Sequence, residues 1–184
     1  MKRDGRCRGA GLAGLLILLA GACTSSPAAA PHVQSSPKAG VHSFAGGCAG
    51  TVLTDAEPPV WAQGGWTHTK GTPWPVPWAF GTHGDTVAYL FAIQLVAGSS
   101  PRPDGSNNKI LWESSSGASL VVVGRPLNQS QPVVAIAGGP SIVDVPTAGC
   151  WTFRLSWSAN GRHSSTINLQ VLPAGTLPSR PAGA

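Results

Sequence analysis

Hydrophobic and polar residues alternate along a series of short segments in the second half of the chain. A period of two is typical of strands with one buried face, and Gly, Pro, Asn and Ser separate the segments. We read residues 86–96 as one unbroken strand with Val87, Tyr89, Phe91, Ile93 and Leu95 on a common face. The predicted strands are TVAYLFAIQLV (86–96), KILWE (109–113), SLVVVGRPL (119–127), PVVAIAG (132–138), SIVDV (141–145), CWTFRLSWS (150–158) and STINLQVL (165–172).

The last two segments predict a β-hairpin. Asn160-Gly161 lies between them, and this pair favours the positive φ angles of a tight turn. On the first strand Trp151, Phe153, Leu155 and Trp157 share one face, which we assign to the core. Cys150, Thr152, Arg154 and Ser156 share the other face. Many short strands separated by turns predict an all-β antiparallel sandwich over residues 47–174.

Residues 51–84 are less regular and contain Trp61, Trp66, Trp74 and Trp78. The stretch TPWPVPWAF (72–80) cannot pair along a central strand, because its prolines lack N–H donors. We expect an edge strand or a polyproline II segment laid over the domain. Trp74 and Trp78 are a candidate surface for a sugar or peptide, and the alternative is that they cap the open end of a small sandwich.

The N-terminus has the pattern of a signal peptide. Residues 1–8 are basic, and the apolar run from Gly11 to Ala20 is shorter than a membrane-spanning helix requires. The following Leu19-Ala20-Gly21-Ala22-Cys23 resembles a lipobox, although Ala20 stands where Leu is commoner. That resemblance implies cleavage after residue 22 and a diacylglycerol thioether on Cys23. The alternative is ordinary signal cleavage after Ala22.

Composition divides the rest of the chain. Residues 23–46 are rich in Pro, Ser and Ala without apolar periodicity, which predicts a disordered tether, and residues 175–184 predict a disordered tail. The formal net charge is +5, but four cations and one carboxylate fall within the first eight residues. The part beyond the signal peptide therefore carries no basic cluster, which argues against nucleic-acid binding.

The four cysteines separate by position. Cys7 leaves with the signal peptide and Cys23 is the lipid site, so Cys48 and Cys150 remain in an exported chain. An oxidising compartment favours a disulfide between them, and two free thiols are the alternative. Because Cys150 is off the aromatic face of its strand, we expect the bridge at the periphery of the sandwich.

No familiar catalytic or phosphate-binding motif is present, and no cofactor is implied. The stretch Ser158-Ala159-Asn160-Gly161, followed by His163, resembles the last hairpin of periplasmic CopC-type copper-binding sandwiches. In that family an Asp stands at the position of Asn160, and Arg162 intrudes here. The resemblance implies a copper-carrier alternative through His163, whereas a solvated turn histidine is the simpler interpretation.

A second resemblance covers about residues 74–172. NKILWE (108–113) and GGPSIVDVPTAGCWTFRLSW (138–157), with the pattern Pro-x-x-Gly-Cys-Trp, resemble uncharacterised bacterial proteins that are secreted or lipid-anchored. The resemblance implies an immunoglobulin-like fold and no activity.

We therefore expect a non-catalytic binding module, held on the extracytoplasmic face of the cell membrane through Cys23. Its ligand is an unidentified protein, peptide or glycan. A metal carrier using His163, or a hydrolase with an unrecognised site, are the alternatives.

Overall fold

The computed structural model describes residues 42–92 and 94–177. The predicted signal peptide, Cys23, most of the predicted tether and residues 178–184 lie outside the described residues. No helix in the described part of the chain is long and apolar enough to cross a membrane. Within these two described ranges, one 3-10 turn, Val60–Ala62, accompanies eleven strands. The strands are β1 Ser43–Phe44, β2 Leu53–Thr54, β3 Trp78–Phe80, β4 Thr86–Leu90, β5 Leu95–Val96, β6 Lys109–Ser114, β7 Val121–Pro126, β8 Val134–Ala137, β9 Gly139–Ile142, β10 Gly149–Ser158 and β11 Arg162–Leu172.

The strands form two sheets, which confirms the all-β sandwich. The first sheet has the order β1-β2-β3-β4-β6-β9, and the second has the order β5-β11-β10-β7-β8. Neighbouring strands are antiparallel except β5 and β11, which run parallel. The main core lies between the sheets.

The terminal hairpin follows its predicted pattern. β10 and β11 pair from Gly149 opposite Val171 to Ser158 opposite Arg162. Asn160 and Gly161 in the turn have φ of 55° and 138°, the conformations that this dipeptide favours. The aromatic face of β10 is buried in the core, as predicted. Trp151 and Trp112 both pack near Phe153, with ring centroids 6.4 and 5.5 Å from it.

The prediction of one strand over residues 86–96 is wrong. β4 ends at Leu90, and the chain crosses to the second sheet, where Leu95 pairs with Val171. Buried polar side chains hold this crossing. Asn108 accepts the Val96 N–H at 3.0 Å and donates to the Val96 carbonyl at 2.7 Å, so it substitutes for a strand partner. The Arg102 guanidinium donates to the Gln94 carbonyl at 2.7 Å.

β4 is buried on both faces, which its alternation did not indicate. Ala88 and Leu90 point into the main core, whereas Val87 and Tyr89 join a second cluster on the outer face of the first sheet. A similar switch of sheets separates β8 from β9. In place of the predicted strand 141–145, β9 begins at Gly139 and ends at Ile142. Gly139, with φ of 77°, turns the chain between the two sheets.

The folded domain begins before the expected boundary at residue 47. His42 donates its backbone N–H to the Asp55 carboxylate at 2.6 Å, and its ring Nδ1 lies 2.8 Å from the same carboxylate. Ser43 then pairs with Thr54, and Phe44 packs against the main core. Residues 42–46 are thus part of the sandwich, and the tether ends earlier than its composition suggested.

A disulfide joins Cys48 and Cys150, as predicted, with their Cα atoms 6.0 Å apart. The segment around Cys48 covers the outer edge of β11. Gln170 donates to the Gly46 carbonyl at 2.8 Å, and Cys48 donates to the Asn168 carbonyl at 3.2 Å. The bridge therefore lies outside the inter-sheet core and fixes the incoming segment on the second sheet.

At Gly81 the first sheet contacts the same outer edge of β11. It donates to the Thr86 carbonyl at 2.9 Å, and Thr82 then donates to the Thr166 carbonyl of β11 at 3.1 Å. A Cβ on Gly81 would overlap the hydroxyls of Thr86 and Ser165, one from each sheet. Both hydroxyls are buried without a hydrogen-bond partner in the described structure.

We expect Gly81→Ala to lower the free energy of unfolding by about 2 kcal/mol, because the methyl group forces the two sheets apart at this contact. Urea unfolding of the mature chain measures the loss. Gly64→Ala is the matched control, because a Cβ there meets nothing within 4 Å. Equal unfolding midpoints for the two variants would contradict a close approach at Gly81.

Candidate functional site

A shallow groove on the outer face of the second sheet collects polar and basic side chains. Strand pairing determines its floor, since Ser156 of β10 lies opposite Ser164 of β11 and Val121 of β7. Ser158 lies opposite Arg162 at the turn, and Arg154 lies two residues before Ser156 on β10. The groove is lined by Gly117, Ala118, Ser119, Val121, Arg154, Ser156, Trp157, Ser158, Arg162, His163 and Ser164.

The charge of this groove has one sign. Arg154 and Arg162 are exposed, and in the described part of the chain neither forms an ion pair. None of the lining side chains is a carboxylate. Four serine hydroxyls stand beside the two guanidinium groups, at Ser119, Ser156, Ser158 and Ser164. Guanidinium and hydroxyl donors together suit phosphate, sulfate or carboxylate groups.

His163 lies at the end of this groove, exposed, with two contacts that fix its ring. The ring stacks on Trp157, with centroids 5.4 Å apart and an interplanar angle of 15°. Its Nε2 lies 2.8 Å from the Ala159 carbonyl. These contacts hold the imidazole against Trp157, on the other side of β11 from the Arg162 side chain, because neighbouring residues of a strand point to opposite faces.

The copper-carrier alternative needs further ligands near His163. Among residues 42–92 and 94–177 no group of three His, Cys, Asp or Glu side chains is arranged to hold a metal ion. His68 packs on Trp74 in the outer layer of the first sheet, with ring centroids 4.6 Å apart. The described geometry therefore gives the metal alternative no support.

Trp74 and Trp78 do not form an exposed ligand surface. Each is only 3% exposed, and both belong to the cluster that covers the outer face of the first sheet. The Trp78 indole donates to the Ala56 carbonyl at 2.7 Å, and the Tyr89 hydroxyl donates to the Ala62 carbonyl at 2.5 Å. The expectation of an exposed ligand surface at these two tryptophans is therefore wrong. The expectation that residues 72–80 form only an edge or covering segment is wrong from Trp78 onward, because Trp78–Phe80 is strand β3 and pairs with both β2 and β4.

A second cleft lies at the margin of this covering layer. It is lined by Trp61, Gly64, Trp112, Glu113, Ser114, Gly117, Ala118, Ser119, Leu120, Ala137, Gly138 and Gly139. Glu113 is half-buried there, and burial raises the pKa of its carboxyl group because it penalises the charged form. Burial, and then the charge of Glu113, raise the pKa of Tyr89 on the neighbouring strand. A perturbed carboxyl group in a cleft is a candidate functional group.

The comparisons with known proteins give no identification. No family model matches the chain, and no curated protein or solved structure matches it either. The resemblance to uncharacterised Pro-x-x-Gly-Cys-Trp proteins therefore stays a prediction, as do lipidation of Cys23 and the absence of catalysis.

Neither the basic groove nor the Glu113 cleft was found from the sequence. Alternation did place Arg154 and Ser156 on the outer face of β10, and the Asn160-Gly161 turn places Arg162 beside Ser158. These were the usable signals for the groove. The Glu113 cleft had no such signal, because it depends on where the covering layer and the β8–β9 crossover meet.

The raised pKa of the Glu113 carboxyl group predicts a pH effect on stability. The folded chain holds this proton more tightly than the unfolded chain, so stability falls as pH rises from the usual glutamate pKa through the raised one. We expect Glu113→Gln to gain stability relative to the wild type at pH 7 but not at pH 4. Urea midpoints at the two pH values measure this, with Glu57→Gln as the control. A difference between variant and wild type that is identical at both pH values would refute the assignment.

Proposed function

We propose that the chain is an exported, lipid-anchored β-sandwich of immunoglobulin-like type that binds an anionic ligand without catalysis. Cys23 carries the diacylglycerol anchor on the extracytoplasmic face of the cell membrane. The ligand is an anionic glycan, or an acidic segment of a protein or peptide. The observation that carries this proposal is the groove that Arg154 and Arg162 line together with serine hydroxyls, where neither arginine forms an ion pair with a described residue.

The spacing of the two arginines favours an extended ligand over a small ion. Arg154 and Ser158 are four residues apart on β10, and Arg162 lies opposite Ser158. Strand geometry therefore separates the two guanidinium-bearing positions by about 13 Å along the sheet. Ser156 and Ser164 fill the interval with hydroxyl groups. A polymer or peptide with repeated anionic groups can contact both ends.

The position of the groove is compatible with a membrane anchor. Ser43 lies level with Thr54, Trp78 and Tyr89, so the chain enters the sandwich near the C-terminal end of β4. The loop Gly117–Ser119 lies beyond Ser114, which pairs with Thr86 at the opposite end of β4. Attachment through the N-terminal side thus leaves the groove accessible.

The disulfide supports an extracytoplasmic location, because such bonds persist in oxidising compartments. Two packed sheets of short strands support the immunoglobulin-like interpretation. The bridge differs from the central one of antibody domains, since it ties the segment at Cys48 to the outer side of the second sheet.

Dextrans with a common backbone test the ligand class. We expect dextran sulfate and carboxymethyl dextran to bind the mature chain and uncharged dextran not to bind. Two exposed ion pairs contribute up to about 1 kcal/mol each, so Arg154→Gln/Arg162→Gln should weaken binding roughly tenfold. Fluorescence anisotropy of labelled dextrans measures the affinity.

The matched control is Lys70→Gln/Lys109→Gln, which removes the same charge from exposed positions outside the groove. This variant should keep the affinity within about twofold. An equal loss in both double variants would show that only net charge matters. Absence of binding to either anionic dextran would remove the support for the groove as the ligand site.

A further inference from the structure

The cleft beside Trp61 contains a carboxylate without a partner. Glu113 lies on the outer face of β6, where it pairs in register with Val87 of β4. In the described part of the chain no hydrogen bond or ion pair reaches its carboxylate. The nearby Tyr89 hydroxyl already donates its hydrogen bond to the Ala62 carbonyl. Burial without a partner is unfavourable for a carboxylate, so a cationic ligand would relieve an existing cost.

The walls of the cleft complete a site for an organic cation. Trp61 contributes an indole that is only partly buried, and no Lys, Arg or His lines the cleft. An indole face attracts an ammonium group, and the attraction grows where water is excluded. Gly64, Gly117, Gly138 and Gly139 line other sides, so bare backbone bounds part of the space.

The glycines differ in how they keep the cleft open. A Cβ on Gly138 would overlap Leu120, so this position admits no side chain. Gly139 has φ of 77°, which favours glycine. At the β8–β9 crossover these two positions therefore require glycine, and no side chain from either of them fills the cleft.

We propose that the Trp61–Glu113 cleft binds an organic ammonium group, with the carboxylate as counter-ion and the indole as an apolar wall. The Lys side chain of a peptide and an amino sugar share this chemistry. The loop Gly117–Ser119 lines both the cleft and the anion groove, but Trp61 and Glu113 line only the cleft, and the two arginines line only the groove. The ammonium site is therefore a second binding function that its own residues test apart from the anion groove.

The test uses the fact that the chain contains only two glutamates, Glu57 and Glu113. Carboxyl-¹³C labelling of glutamate in the mature chain gives one NMR resonance for each. The probes are Nα-acetyl-lysine methylamide against its norleucine counterpart, and glucosamine against glucose. Binding of an ammonium group should shift the Glu113 resonance and displace its titration to lower pH, while Glu57 stays unchanged.

Glu113→Gln should reduce amine affinity at least tenfold, measured by ligand-observed NMR, while Glu57→Gln leaves it unchanged. Trp61→Leu should weaken the amine probes more than their neutral counterparts. The two probe pairs distinguish a peptide lysine from an amino sugar. Equal shifts with charged and neutral probes, or shifts at Glu57 alone, would overturn the proposal. We expect Glu113→Gln to leave dextran sulfate binding unchanged. A negative result for the ammonium site would therefore not count against the anion groove.

Discussion

The closure of the outer edge of β11 is the constraint on which the rest of the structure depends. Without the segment around Cys48 and the contact at Thr82, alternate backbone groups of β11 would face solvent along an open edge. The Cys48–Cys150 bond holds that segment in place across 102 residues of sequence. For a loop of this length the chain-entropy model gives a stabilisation of about 4–5 kcal/mol. The same edge brings Gly81, Thr86 and Ser165 together, so the two sheets are aligned by one covalent bond and one close approach.

This alignment explains where the two candidate sites lie. With the β11 edge closed, the outer face of β10 and β11 remains exposed and forms the anion groove. The outer face of the first sheet is instead covered by the layer that contains Trp66 and Trp74. The Glu113 cleft occurs where that layer stops short of the β8–β9 crossover. Charged residues make up only 10% of the chain, so each unpaired charge on these faces has few alternatives for a partner. The loop Gly117–Ser119 lines both sites, so charges of opposite sign lie on its two sides, which favours a module with two kinds of contact.

The features predicted from the sequence are those that local pattern determines. Alternation identified the aromatic face of β10, the Asn160-Gly161 turn identified the hairpin, and exclusion of two cysteines identified the Cys48–Cys150 pair. Each depends on a few adjacent residues or on the compartment. The outer position of the bridge also followed from alternation, because Cys150 lies off the aromatic face.

The features that were missed depend on distant packing. The break after Leu90 requires the Asn108 side chain to replace a strand partner, and periodicity carries no sign of that bond. The prolines of residues 72–80 predicted an edge or covering segment with Trp74 and Trp78 as a candidate ligand surface. The part around Trp74 does lie over Tyr89, but the chain joins the interior of the first sheet as soon as the prolines end, at Trp78. The predicted tether ran too far toward the C-terminus, because composition does not show that His42 binds the Asp55 carboxylate. The basic groove depends on three strands meeting in register.

Intact mass spectrometry of the protein purified from membranes, with and without reduction and alkylation, tests the central claim most directly. An exported, anchored and covalently closed sandwich predicts the mass of residues 23–184 plus a diacylglyceryl group, with or without a third acyl chain. Two alkylations should appear only after reduction. A mass without lipid would contradict anchoring through Cys23, and alkylation of two cysteines before reduction would contradict closure by the Cys48–Cys150 bond.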